Sequence, residues 1–95
     1  MSGDFKGYDN SVWGAGVDLE INEIINLLPA IPTHYDYIIA RVHDLEPDVA
    51  MLWLCSDIYD DRIMITESLF ERITAMCSKL KLDNDTWSRL RQLIF

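Results

Sequence analysis

Tyr-Asp-Tyr-Ile-Ile-Ala-Arg-Val-His-Asp-Leu-Glu-Pro-Asp-Val-Ala-Met-Leu-Trp-Leu-Cys-Ser-Asp-Ile, residues 35–58, is the stretch whose reading decides the fold. Its first ten residues alternate: Ile38, Ala40 and Val42 face one way, and Tyr35, Tyr37, Ile39, Arg41 and His43 face the other. A period of two in β-branched and aromatic residues predicts a strand over Tyr35–Asp44. Leu45-Glu46-Pro47-Asp48 reads as a turn with Pro47 at its first central position. Val49 to Ile58 is more apolar and reads as a second strand, the most buried of the sheet. So short a connection makes the two an antiparallel hairpin. That pairing brings Tyr35, Asp36 and Tyr37 beside Asp57, Tyr59, Asp60 and Asp61. It leaves Asp44, Glu46 and Asp48 at the far end, about 25–30 Å away at 3.3 Å per residue.

The flanking segments change period. Ile21, Ile24, Ile25 and Leu28 recur at i, i+3, i+4 and i+7, which predicts a helix at about 20–28. Asp18, Glu20 and Glu23 suit its positive end, and Pro29 and Pro32 stop it. Thr66 is an N-cap for a helix over 67–79 built on Leu69, Phe70, Ile73, Met76, Cys77 and Leu80, with Lys79 and Lys81 at its negative end. Trp87, Leu90 and Ile94 predict a short terminal helix. Trp13-Gly14-Ala15-Gly16 suggests a bent edge strand within 11–17, and Leu80–Leu82 a short last strand. Residues 1–10 read as a flexible arm. The order β-α-β-β-α-β is the ferredoxin-like split βαβ arrangement, an α+β fold in a single domain over residues 11–95.

Two stretches carry a family resemblance. Gly16 to His34 reads Gly-Val-Asp-Leu-Glu-Ile-Asn-Glu-Ile-Ile-Asn-Leu-Leu-Pro-Ala-Ile-Pro-Thr-His. It resembles the opening of a family of small bacterial α+β proteins of unknown function, in which an acidic residue starts a helix with Glu-Ile-x-x-Leu-Leu followed by Pro-Thr. Ile65 to Asp85 resembles the close of the same family. The resemblance implies an α+β fold and a bacterial or phage ancestry. It carries no catalytic residue.

The 95 residues include 16 acids against 8 bases, a net charge of −8, which excludes a generic nucleic-acid binder and disfavours an anionic membrane surface. The N-terminus has no apolar stretch of the kind a secretory signal needs. The longest apolar run, Val49–Cys55, is seven residues where a membrane span takes about 18. A cytoplasmic protein is expected, in its own cell or a host cell. Chemistry leaves spacing patterns, and none stands out. There is no Gly-rich phosphate loop, no Gly-x-Ser-x-Gly and no His-Glu-x-x-His. His34, His43, Cys55 and Cys77 lack metal-ligand spacing. Cys55 and Cys77 fall on apolar faces and read as reduced core thiols. Asp60-Asp61 reads as a solvated turn. The expectation is no enzyme, no cofactor and no metal.

Charge distribution is more informative. Residues 1–61 hold 12 of the acids and only Lys6 and Arg41 as bases; residues 62–95 hold 4 acids and 6 bases. The acids interleave with tyrosines, at Tyr35-Asp36-Tyr37 and at Asp57-Ile58-Tyr59-Asp60-Asp61. Tyrosine supplies contact area at low entropy cost, and carboxylates pair with Lys or Arg. The plainer reading is that the acids keep a small domain in solution and the tyrosines belong to sheet packing. Lys79, Lys81, Arg89 and Arg91 around Trp87 read as helix-end compensation rather than a phosphate site. The expected function is a small acidic inhibitory binding protein that masks a basic, nucleic-acid- or phosphate-binding face of a larger protein. A nuclease, a toxin or a CRISPR effector is the expected partner, as for immunity proteins and phage anti-defence or anti-CRISPR inhibitors. The expected contact residues are Tyr35, Asp36, Tyr37, Asp57, Tyr59, Asp60 and Asp61, then Asp44, Glu46 and Asp48. The alternative is a self-associating scaffold module, such as a homodimer, without an inhibitory role.

Overall fold

The computed structural model describes residues 16–95, and these are helical rather than α+β. The elements are α1 (Val17–Leu27), α2 (Tyr35–His43), α3 (Pro47–Asp60), α4 (Glu67–Lys79), α5 (Asn84–Trp87) and a 3-10 turn over Ser88–Leu93. No strand occurs among the described residues. An isolated parallel bridge joins Ile65 to Ile94. The ferredoxin-like expectation is therefore corrected. Both strands of the supposed hairpin are helices, and Leu80–Leu82 is a helix stop. The proposed arm at 1–10 and most of the supposed first strand lie outside the described residues; Val17 itself opens α1.

Helices form over residues 35–60 for local reasons. Asp36 lies in the first turn of α2, and Arg41 and His43 lie in its last, as the helix dipole favours. Pro47 occupies the first turn of α3, where its missing N–H costs no hydrogen bond and its fixed φ is already helical. The supposed turn proline is a helix starter. Along α3, Ala50, Met51, Leu54, Cys55 and Ile58 are buried, a stripe at helical spacing. Leu52 and Trp53 fall off that stripe and are partly exposed. The apolar run thus covers two faces, and only one belongs to the core.

α1, α2, α3 and α4 share one core, with Ile21, Ile24, Ile38, Met51, Ile58 and Ile73 withdrawn from solvent. α2 and α3 pack antiparallel across the connection 44–46, and α1 packs on both and on α4. The tie between α1 and α4 is ionic at its rim. The Arg72 guanidinium donates from Nε (3.0 Å) and Nη2 (2.8 Å) to the Glu20 carboxylate and also reaches Glu23. That holds the Glu20 carboxyl below its ordinary value and pushes the guanidinium further up. The Thr66 hydroxyl accepts from the Leu69 N–H at 3.0 Å, so α4 begins where the sequence indicates. The 3-10 segment packs on α3, and Ile65 exchanges backbone bonds with Leu93 and Phe95.

Three helices end alike. Glu46 N–H donates to Arg41 C=O, Ile63 N–H to Ile58 C=O and Leu82 N–H to Cys77 C=O. These six-to-one bonds close Schellman turns. The residue ahead of each donor sits in the left-handed region: Leu45 at φ 62°, Arg62 at 55° and Lys81 at 62°. None of the three is glycine, the residue that region favours.

Candidate functional site

The site is built where α2 begins beside the end of α3. His34 precedes α2 and has no cap of its own in sequence. Asp57 of α3 instead holds this N-cap residue in place across space. One carboxylate oxygen accepts from the His34 backbone N–H at 2.6 Å, and the other lies 2.8 Å from His34 Nδ1, whose ring N–H donates. The Asp57 side chain is only 4% exposed, so burial is offset by two donors. One turn later Asp61 repeats the device. It accepts from the Thr33 N–H at 3.0 Å and from the Thr33 hydroxyl at 2.8 and 2.9 Å. Two carboxylates at i and i+4, one in α3 and one capping its end, thus fasten the approach to α2.

An aromatic ladder continues from this clamp. Trp53, one turn before Asp57, meets the His34 ring edge-on at 4.8 Å and 66°. Its other neighbour is Tyr37, at 4.8 Å and 58°. The Arg41 guanidinium lies over the Tyr37 ring at 5.1 Å and bonds Asp44 and Glu46 at 2.8 Å each. Arg41 Nε is buried with no partner. Despite these contacts Trp53 and Tyr37 remain 38% and 42% exposed, an aromatic pair facing solvent in the middle of the hairpin.

The structure sorts the residues singled out in the sequence. Tyr35, Asp36, Tyr37 and Asp60 are exposed on the hairpin. Asp44 and Glu46 are exposed at the turn but share Arg41, and Asp48 is half-buried in the first turn of α3. Asp57 and Asp61 are engaged inside the chain. Asp57 is buried and presents nothing to a partner, which corrects its place in the expected surface. Tyr59 also turns away: it packs against the core, with the guanidiniums of Arg62 and Arg89 at 5.0 and 4.4 Å from its ring. The helical hairpin is also shorter than a β one. At a rise of 1.5 Å per residue, Asp44 and Tyr35 stand about 14 Å apart along α2, roughly half the strand distance. The two acidic ends therefore fit one footprint of ordinary size. His34, Leu52 and Trp53 were missed in the sequence. A helical reading of 49–60 would have found two of them, because it sets Leu52, Trp53, Ser56 and Asp60 opposite Met51, Leu54 and Ile58.

Residues 33–61 carry seven carboxylates against Arg41 alone, a net of −6 with histidines neutral. Cys55 and Cys77 lie in the core with sulfurs 3.8 Å apart; the bond to Cys77, together with burial, pushes the Cys55 thiol well up. Such a thiol is a poor nucleophile. Among the described residues no group of three or more His, Cys, Asp or Glu is arranged to hold a metal ion, and no helix is long and apolar enough to cross a membrane. Comparison with models of protein families, with curated proteins and with solved structures finds no match to this chain.

Proposed function

We propose that this chain is a non-enzymatic inhibitory binding protein whose α2–α3 hairpin covers a basic face of a larger protein, a nuclease, toxin or CRISPR effector, in the cytoplasm of its own or a host cell. The observation that carries this reading is the exposed Trp53–Tyr37 pair set among the exposed carboxylates Asp36 and Asp60 and the Arg41-paired Asp44 and Glu46. Aromatic anchors ringed by charge are what protein interfaces use at their centres. The charge accelerates association by steering, and the buried rings slow dissociation. A face built to bind phosphate is basic, so it is the complementary surface.

The test begins with affinity capture from the source cell and reconstitution of the captured partner with purified chain. Reversing Asp36, Asp44 and Asp60 to Lys together is expected to lower the association rate about tenfold or more at low salt and to flatten its salt dependence. Asp57 and Asp61 are unsuited to that test, because replacing them unfastens α2. A folded triple variant that associates like the parent overturns the reading. So does capture of the chain by itself alone, with dimers in sedimentation, which is the behaviour of a scaffold module.

A further inference from the structure

α3 carries a shallow hollow of about 230 Å³ on its outer face, lined by Leu52, Trp53 and Ser56. The Trp53 indole forms its wall and is held in place before any partner arrives. His34 at the N-cap of α2 and Tyr37 within it brace the ring, and His34 is fixed in turn by buried Asp57. A braced ring loses little freedom on binding. Asp60 stands on the same face of the helix, one turn beyond Ser56, whose hydroxyl reaches it at 3.4 Å. Its carboxylate is exposed and keeps acceptor sites to spare.

The chain shows which cation its aromatic rings take. Arg41 lies over Tyr37, Arg62 and Arg89 over Tyr59, and Arg91 over Phe70 at 4.9 Å. Every cation found on a ring among the described residues is a guanidinium, and no arginine among them occupies Trp53. Tryptophan is the strongest of the rings for this contact, and the planar guanidinium stacks where an ammonium does not. The surrounding charge of −6 has the sign such an occupant requires.

We propose that the Leu52–Trp53–Ser56 hollow is the anchor site for one arginine side chain of the basic partner. Its guanidinium stacks on the Trp53 indole and pairs with the Asp60 carboxylate, while its methylenes lie along Leu52. The assignment rests on the hairpin being the binding face and adds to it the residue type that the face selects.

The test uses two blocked nine-residue peptides of equal charge, all-arginine and all-lysine, titrated into the full chain at low salt. The arginine peptide is expected to bind about 2- to 5-fold tighter, the difference that exposed stacking supplies. That preference is expected to disappear in Trp53→Leu and to survive in Trp53→Tyr, each checked for helix content by circular dichroism. A readout in the parent needs no variant: the Trp53 indole N–H resonance should move with the arginine peptide and far less with the lysine peptide. Equal affinities, an arginine preference that outlasts a folded Trp53→Leu, or an unmoved indole resonance each overturn the anchor. If the peptides bind equally but both weaken in Asp36→Lys/Asp60→Lys, the anchor falls and the hairpin remains a binding face. If neither peptide binds, both fall.

Discussion

Asp57 anchors His34, the N-cap residue of α2, by its backbone and ring N–H groups, and it does so from another helix. Removing it leaves the His34 backbone and ring N–H groups without the acceptor that the buried Asp57 side chain supplies. Asp57→Ala should therefore destabilise the protein by about 2–3 kcal/mol, the range for a buried hydrogen-bonded carboxylate, as measured by urea unfolding. Asp60→Ala, on the open side of the same turn, should cost under about 0.5 kcal/mol; equal costs would mean that the clamp contributes nothing. The residue scale also offers a gain. Lys81 holds a left-handed φ of 62° at the end of α4 and is exposed. Lys81→Gly should raise stability by about 0.5–1 kcal/mol by removing the Cβ penalty, and a lower melting temperature would refute that. Neither role is visible in the sequence. Asp57 sits in an acidic run like its neighbours, and only the fold says that it is buried while Asp60 is not.

Among the elements, α1 and α4 were legible and α2 and α3 were not, for a physical reason. α4 repeats its apolar residues at 3.6 spacing between a threonine cap and a lysine end, and it spans the residues this pattern marks. In α2, Ile38 and Val42 are buried, and a separation of four belongs both to a strand face and to a helix face. Ala40 between them completed the alternation, although it lies off the buried side. In α3 the seven apolar residues Val49–Cys55 erase any period, because the core stripe and the outer Leu52–Trp53 pair abut. Length and the proline at its start were the remaining cues, since a buried strand seldom reaches fourteen residues. The juxtaposition of Tyr35–Tyr37 with Asp57–Asp61 survived the error, because any tight antiparallel pair produces it. At this scale the α1–α4 tie gives a pH prediction. Arg72 lowers the Glu20 carboxyl from its ordinary 4.5. The tie therefore contributes in full above pH 4.5 and is lost as pH falls through the depressed folded-state value. Glu20→Gln should lose less melting temperature than the parent on acidification from pH 6 to pH 3. Identical losses would show that the pair does not couple to stability.

For the whole molecule, charge is divided rather than spread. The hairpin holds a net of −6, while residues 62–95 hold 6 bases against 4 acids, with Arg62, Arg89 and Arg91 laid over rings. The division was legible in counts along the chain, whereas which carboxylates remain free was not, since Asp57 and Asp61 are taken up by His34 and Thr33. The three-residue connection between α2 and α3 has a further consequence, in time. Its clamp closes a loop of 23 residues from His34 to Asp57, whereas Arg72 and Glu20 are 52 apart. Chain closure over the longer span costs about 0.7 kcal/mol more, from the logarithm of loop length. The hairpin should form first and offer α1 and α4 a surface on which to condense, with the rapid kinetics of local topology. Pulsed hydrogen exchange during refolding should then protect the amides of residues 38–58 before those of 21–27, and the reverse order would place the nucleus on the ionic rim of α1 and α4.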